Sequence, residues 1–121
     1  MNFDNTYVKI DLDAIERNIL SIRQRAGTDV MAVIKADAYG HGAIQVARLL
    51  QDKCSFFGVS SILEAMELRR AGIYNPILIL GHTPPRYTGT LIDNRITQTV
   101  SCLAKAEEYS REAVALGKEL S

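Results

Sequence analysis

Four candidate strands begin at Val30, Phe56, Ile77 and Thr97, at intervals of 26, 21 and 20 residues, and each interval has room for one helix between short connections. Such regular spacing is that of repeated strand–helix units, because parallel strands need a helical crossover between them. Val30-Met31-Ala32-Val33-Ile34 and Ile77-Leu78-Ile79-Leu80 are apolar without alternation, which predicts strands covered on both faces. Phe56-Phe57-Gly58-Val59 reads as a third strand and Thr97 to Cys102 as a weaker fourth. Parallel units of this kind build either an open doubly wound sheet or a closed eight-fold barrel, and the pitch alone leaves both open. An eight-fold barrel takes about 250 residues, so four units in a chain of 121 residues fit its first half.

The helices carry their own start and stop signals. A strand is expected around Tyr7 to Ile10. After it, Asp13 and Glu16 in capping-box spacing open a helix with Ile15, Ile19 and Ile22 on one face, running to Gly27. A Gly-containing turn over Ala38 to Gly42 leads into a second helix with Ile44, Ala47 and Leu50 at helical spacing. Ser61 and Glu64 repeat the capping box, with Leu63, Met66 and Leu68 inward and Gly72 as the stop. A last helix spans Ala104 to Leu116, with Ala106, Tyr109 and Ala113 on one face and Lys105, Glu107, Glu108, Arg111, Glu112, Lys118 and Glu119 solvated.

Charge and cysteine content narrow the function. Fourteen basic residues balance fourteen acidic ones, which removes the electrostatic footprint of a nucleic-acid or membrane-surface binder. No stretch approaches the roughly 20 apolar residues of a membrane span, and the first thirteen residues lack the apolar core of a secretory signal. Cys54 and Cys102 stand far apart with no CxxC neighbour, so no disulfide framework or metal site is expected and both read as buried free thiols. A cytoplasmic protein acting on a small molecule is the expectation.

The chemistry concentrates in Ala32-Val33-Ile34-Lys35-Ala36-Asp37-Ala38-Tyr39-Gly40-His41-Gly42. Lys35 ends a buried strand, at the end where α/β folds bind ligands. A lysine there either snorkels its ammonium to solvent or, walled by apolar residues, becomes a nucleophilic amine. Tyr39 either hydrogen-bonds a phosphate or polar ligand or covers the rim. His41, between two glycines, reads as a residue that bonds its own turn, and Asp37 as a turn former or pairing partner. His82 reads as a turn residue before a Pro-initiated helix.

Val33-Ile34-Lys35-Ala36-Asp37-Ala38-Tyr39-Gly40-His41-Gly42 resembles the pyridoxal-phosphate attachment signature of alanine racemases, whose barrel domain is followed by a β-rich domain. Val8 to Ile19 resembles that family's opening strand and helix. Phe57-Gly58-Val59-Ser60 with Glu64-Ala65, and Pro76 to Gly81, resemble its next two units.

The resemblance implies a partial (β/α)8 TIM-type barrel of alternating parallel strands and helices, and a pyridoxal 5'-phosphate-dependent isomerase. Lys35 would form the Schiff base with the cofactor and, freed from this aldimine by the substrate amine, exchange the α-proton on the D face. Tyr39 would contact the cofactor phosphate, and Val33 and Leu80 would pack around the cofactor. The parent would interconvert L-alanine and D-alanine for peptidoglycan as a homodimer, a tyrosine of the second subunit acting on the L face. Serine or broader amino-acid specificity, and a barrel that binds the cofactor without catalysis, are the alternatives. None of Tyr7, Tyr74, Tyr87 or Tyr109 lies in a context like that of the partner tyrosine. Residues 1–121 are therefore expected to be the amino-terminal part of the barrel domain, without the remaining barrel or the β-rich domain, and inactive alone. Such a half barrel exposes unpaired edges and is expected to self-associate or to be poorly stable.

Overall fold

The first three expected strands form within their apolar runs, and the fourth forms earlier than expected, over Ile96–Gln98 rather than Thr97 to Cys102. The computed structural model describes residues 6–121, in which β1 (Met31–Val33), β2 (Phe56–Val59), β3 (Ile77–Ile79) and β4 (Ile96–Gln98) form one sheet in sequential order with every neighbouring pair parallel. The register sets Ala32, Phe57, Ile77 and Ile96 side by side, and Val59, Ile79 and Gln98 likewise. Both rows are buried against the helices. Met31 and Val33 point to the other face and remain 38% and 37% exposed, so the sheet is covered on one face only. That corrects the expectation of two covered faces: the runs lack alternation because the second face is apolar as well. A doubly wound sheet reverses its strand order and carries helices on both faces. Sequential order with one-sided cover is the wall of a barrel, which settles the choice that pitch left open.

The helices are α1 (Leu12–Ala26), α2 (Ala43–Leu50), α3 (Ile62–Arg70), α4 (Thr88–Asp93) and α5 (Leu103–Leu116). Asp11, not Asp13, caps α1 by accepting the Ala14 N–H at 3.1 Å, and Gly27 ends the helix. Ile15 and Ile19 pack against the core while Ile22 is exposed. Ser61 caps α3 through the Glu64 N–H, and the inward residues are Ala65 and Leu68, with Met66 half-buried. Leu63, expected inward, is exposed: five positions before Leu68, it lies about 140° away on the helix. Pro85 starts a 3-10 turn, Pro85–Tyr87, that runs into α4 as the Pro-initiated reading required. Tyr109 and Ala113 of α5 are buried together.

Two further expectations are corrected. Residues 6–10 form no strand, and Tyr7 is 85% exposed. A strand needs a neighbour for its N–H and C=O groups, and β1, at the sheet edge, pairs only with β2. Cys102 is exposed, because it is the residue before α5, off the packed face. Cys54 is buried as expected, and burial pushes its thiol pKa up, which disfavours the reactive thiolate.

Beyond β3 and β4 the loops are pinned by a buried polar cluster. Thr83 Oγ1 donates to Gln98 Oε1 at 2.5 Å, and Gln98 Nε2 donates to the Gly81 and Thr99 carbonyls at 2.7 and 2.9 Å. The Tyr109 hydroxyl donates to the Thr83 carbonyl. Gln98→Leu fills the same space but strips partners from Thr83 and Gly81, so it is expected to cost about 2–3 kcal/mol of stability, read as a lowered urea midpoint. A change within experimental scatter would show that water replaces the amide at no cost.

Candidate active site at the carboxyl end of the first strand

Lys35 follows β1 after one residue, Ile34, and begins a single turn, Lys35–Tyr39, that winds the wrong way for L-residues. Ala36, Asp37, Ala38 and Tyr39 all have φ between +52° and +56°, a conformation costing about 1–2 kcal/mol per residue. Tertiary contacts must hold it. The Ala38 N–H donates to the Ile34 carbonyl at 2.9 Å, and the Gly42 N–H to the Asp37 carbonyl at 2.9 Å. Gly40 closes the turn at φ +88°, which a side chain would resist. Asp37 Oδ1 accepts the Ala43 N–H at 2.8 Å and so caps α2 from six residues away. His41 Nδ1 donates to the Ala38 carbonyl at 2.8 Å, the turn-bonding role expected of it.

The turn leaves two groups available for chemistry. Lys35 is half-buried and, among the described residues, no carboxylate lies within ion-pair distance of its ammonium. Tyr39 is 60% exposed. Val33, Gly58, Leu78 and Thr97 lie side by side in register on the uncovered face of the sheet. A Cβ built on Gly58 would stand 3.4–3.5 Å from Val33, Leu80 and Met31 side chains, so glycine keeps open a small apolar cradle between the two residues expected to pack around a cofactor. An amine without a carboxylate partner at the strand end beside an apolar cradle is the donor set that an aldehyde cofactor such as pyridoxal phosphate requires. The residues present fit that group.

Other candidates fall outside this cluster. Tyr74 precedes β3 and lies at the opposite end of the sheet, and the Tyr109 hydroxyl is engaged with Thr83. His82 is exposed in the loop after β3. Among the described residues no group of three or more His, Cys, Asp and Glu could hold a metal ion, and no helix is long and apolar enough to cross a membrane.

Glu64 and Gly81 carry more than the sequence pattern signalled. The capping box sends a glutamate back to its own N-cap amide. Here Glu64 Oε2 instead accepts the Ala36 N–H at 3.0 Å, and Oε1 accepts the Ser60 hydroxyl. At Gly81 any Cβ would run into the Ser60 carbonyl, so this glycine lets the loop after β3 pass against the end of β2. Capping-box spacing flagged Glu64, but only the fold brings it to the Lys35 turn.

Comparison with known proteins places this geometry. The family model described as the N-terminal domain of alanine racemase matches residues 10–121. The chain is 43% identical to an alanine racemase of Desulfosudis oleivorans over 124 residues, covering 100% of this chain and 32% of that protein. It superimposes on an alanine racemase of Clostridium difficile in complex with cycloserine with a TM-score of 0.87 at 39% identity, over 99% of this chain and 34% of that one. A histidine racemase from Leuconostoc mesenteroides subsp. sake gives a TM-score of 0.85 at 29% identity, over 92% and 30%. The four strands match the amino-terminal half of the barrel in these enzymes, and the chain spans about a third of the length of the curated relative.

Proposed function

Because this chain belongs to the alanine racemase family, by that family's amino-terminal domain, we propose that it supplies the lysine-bearing part of a pyridoxal 5'-phosphate-dependent alanine racemase. The observation that carries this reading is Lys35 itself, half-buried just beyond the carboxyl end of β1, at the same end of the sheet as the apolar cradle of Val33, Gly58 and Leu80. Lys35 is the attachment point of the cofactor and Tyr39 a contact to its phosphate. When bound, that group withdraws electrons from the substrate and makes the α-hydrogen acidic.

The chain's own residues then have distinct tasks. With substrate in place, Lys35 Nζ would serve one face only, as general base when it takes the α-proton from the enantiomer that presents it there and as general acid when the reaction runs the other way. The left-handed turn fixes the approach of that amine, since Glu64 bonds its Ala36 N–H and the Asp37 side chain ties it to the Ala43 N–H at the start of α2. Val33 and Leu80 keep water from the reacting carbon. Inversion needs a second base on the opposite face; the family resemblance assigns it to a tyrosine outside this chain, contributed by the partner subunit of a homodimer. Production of D-alanine for peptidoglycan in the cytoplasm is the role that follows.

Similarity to a histidine racemase supports one alternative, a racemase of the same fold with another amino-acid substrate. Assays of the full-length protein that carries this chain, with each enantiomer of alanine and of serine, decide between them. Turnover of alanine from both sides is expected. Turnover of serine alone would move the substrate. Turnover of neither, with the cofactor attached at Lys35, would leave a cofactor-binding barrel without racemase activity.

A further inference from the structure

Four consecutive left-handed residues directly after the lysine do not persist without external support. Ala38 is packed into the core, Asp37 accepts the Ala43 N–H, and one side chain from another element bonds the backbone of the turn. Glu64, on the first turn of α3, reaches across to the Ala36 N–H, the first amide after Lys35, and with its other oxygen accepts the Ser60 hydroxyl at the end of β2. One carboxylate therefore ties the start of the turn to the neighbouring strand end and to a helix that is itself anchored in the core by Ala65 and Leu68. At the α3 cap the Glu64 backbone N–H donates to the Ser61 hydroxyl at 3.3 Å, while the Glu64 side chain is turned to the Ala36 amide instead of its usual capping duty.

We propose that Glu64 is a positioning residue for Lys35: through the Ala36 amide and the Ser60 hydroxyl it sets the left-handed turn that aims the lysine amine and the Tyr39 phenol at the mouth of the sheet. The role rests on the reading of Lys35 as the cofactor anchor. Both Glu64 oxygens are engaged with the protein, by the Ala36 N–H and the Ser60 hydroxyl, so it acts by fixing the backbone from which Lys35 and Tyr39 leave. Misplacement of a reacting group by about 1 Å can cost as much as 100-fold in rate, so the effect falls on the proton-transfer step and on the geometry of the bound cofactor rather than on substrate affinity.

The test uses the full-length protein loaded with pyridoxal phosphate, with Glu64→Ala, Glu64→Gln and Ser60→Ala compared with the unsubstituted protein. Three readouts apply: borohydride fixation of the cofactor on the Lys35 peptide by mass spectrometry, circular dichroism of the cofactor absorption per bound cofactor, and kcat separately from KM. Glu64→Ala is expected to lower kcat about tenfold or more with KM little changed, and to reduce or invert the cofactor dichroism while the adduct still forms. Glu64→Gln keeps an acceptor for the Ala36 N–H and should recover most of both signals. Ser60→Ala, which releases one oxygen only, should fall between. If Glu64→Ala does not fold, Ser60→Ala decides: dichroism and kcat equal to the unsubstituted protein would overturn the proposal. An adduct with unchanged dichroism and kcat in Glu64→Ala overturns it while leaving the cofactor reading intact. Absence of the adduct from the unsubstituted protein overturns both.

Discussion

Full-length protein carrying Lys35→Ala is expected to lose the borohydride-fixed cofactor adduct and to racemise alanine at least about 1000-fold more slowly, with its unfolding midpoint almost unchanged. The size of the loss follows from two tasks on one nitrogen. The amine holds the cofactor covalently, and it then moves the α-proton; alanine removes both, and no other amine on the turn Lys35–Tyr39 can replace it. The small effect on stability follows from the site. Lys35 is half-buried and makes no ion pair with the described residues, so its removal leaves no buried charge without its partner. Lys35→Arg keeps the positive charge but not a nucleophilic amine and should be equally inactive. A snorkelling surface lysine would give the opposite result, since such substitutions stay within about 0.5 kcal/mol of neutral and leave chemistry alone. Retention of more than a few per cent of the activity by Lys35→Ala would remove the lysine from the mechanism.

How much of this site could be read from the chain depends on what holds each part. The strands were legible because continuous apolar runs announce burial without help from the rest of the protein, and Ile77-Leu78-Ile79 lies where its run lies. Lys35 was legible for the same reason, as a charge at the end of such a run. The left-handed turn was not. Ala36, Asp37, Ala38 and Tyr39 carry no preference for positive φ strong enough to announce it, and only Gly40 and Gly42 behind them hint at it; the conformation is imposed by Glu64, Asp37 and the sheet. Helix phase shows the same division. Leu63 satisfied an apolar pattern, yet Ala65, a smaller residue, took the buried position because helix packing on the sheet admits a small side chain there. Asp11 took the cap from Asp13 because the chain turns into α1 one half-turn sooner than the pattern of isoleucines required. The strand expected at Tyr7 to Ile10 failed on the only ground local sequence never contains, the presence of a neighbour.

Arg69→Ala is expected to destabilise the protein by about 3 kcal/mol, more than any surface charge in the chain. Arg69 lies in the last turn of α3, and its guanidinium donates to four backbone carbonyls: Nε to Asn94 at 2.7 Å, Nη1 to Ile73 and Asn75 at 2.8 Å each, and Nη2 to Arg95 at 3.0 Å. Those carbonyls sit in the chain entering β3 and the turn entering β4, so one planar fork fastens the far end of the sheet to the helix before it. Burial, with the nearby Arg95 charge adding to it, pulls the Arg69 pKa below the ordinary guanidinium value. The side chain nevertheless stays charged at any pH the fold survives. Contrast Lys118 and Asp93, paired at 2.7 Å but each about half exposed, where solvent competes and the pair contributes about 0–1 kcal/mol. Alanine at 69 strands several half-buried carbonyls, and water can reach only the outermost of them at little cost. Arg69→Met keeps the packing of the stem and isolates the hydrogen bonds, so it should lose nearly as much as alanine. Arg69→Lys keeps the charge but presents a point donor in place of a fork and should recover less than half of the loss. Urea unfolding of the full-length proteins measures all three; full recovery by lysine would mean that charge, not the fixed geometry of the four bonds, holds the entry to β3 and β4.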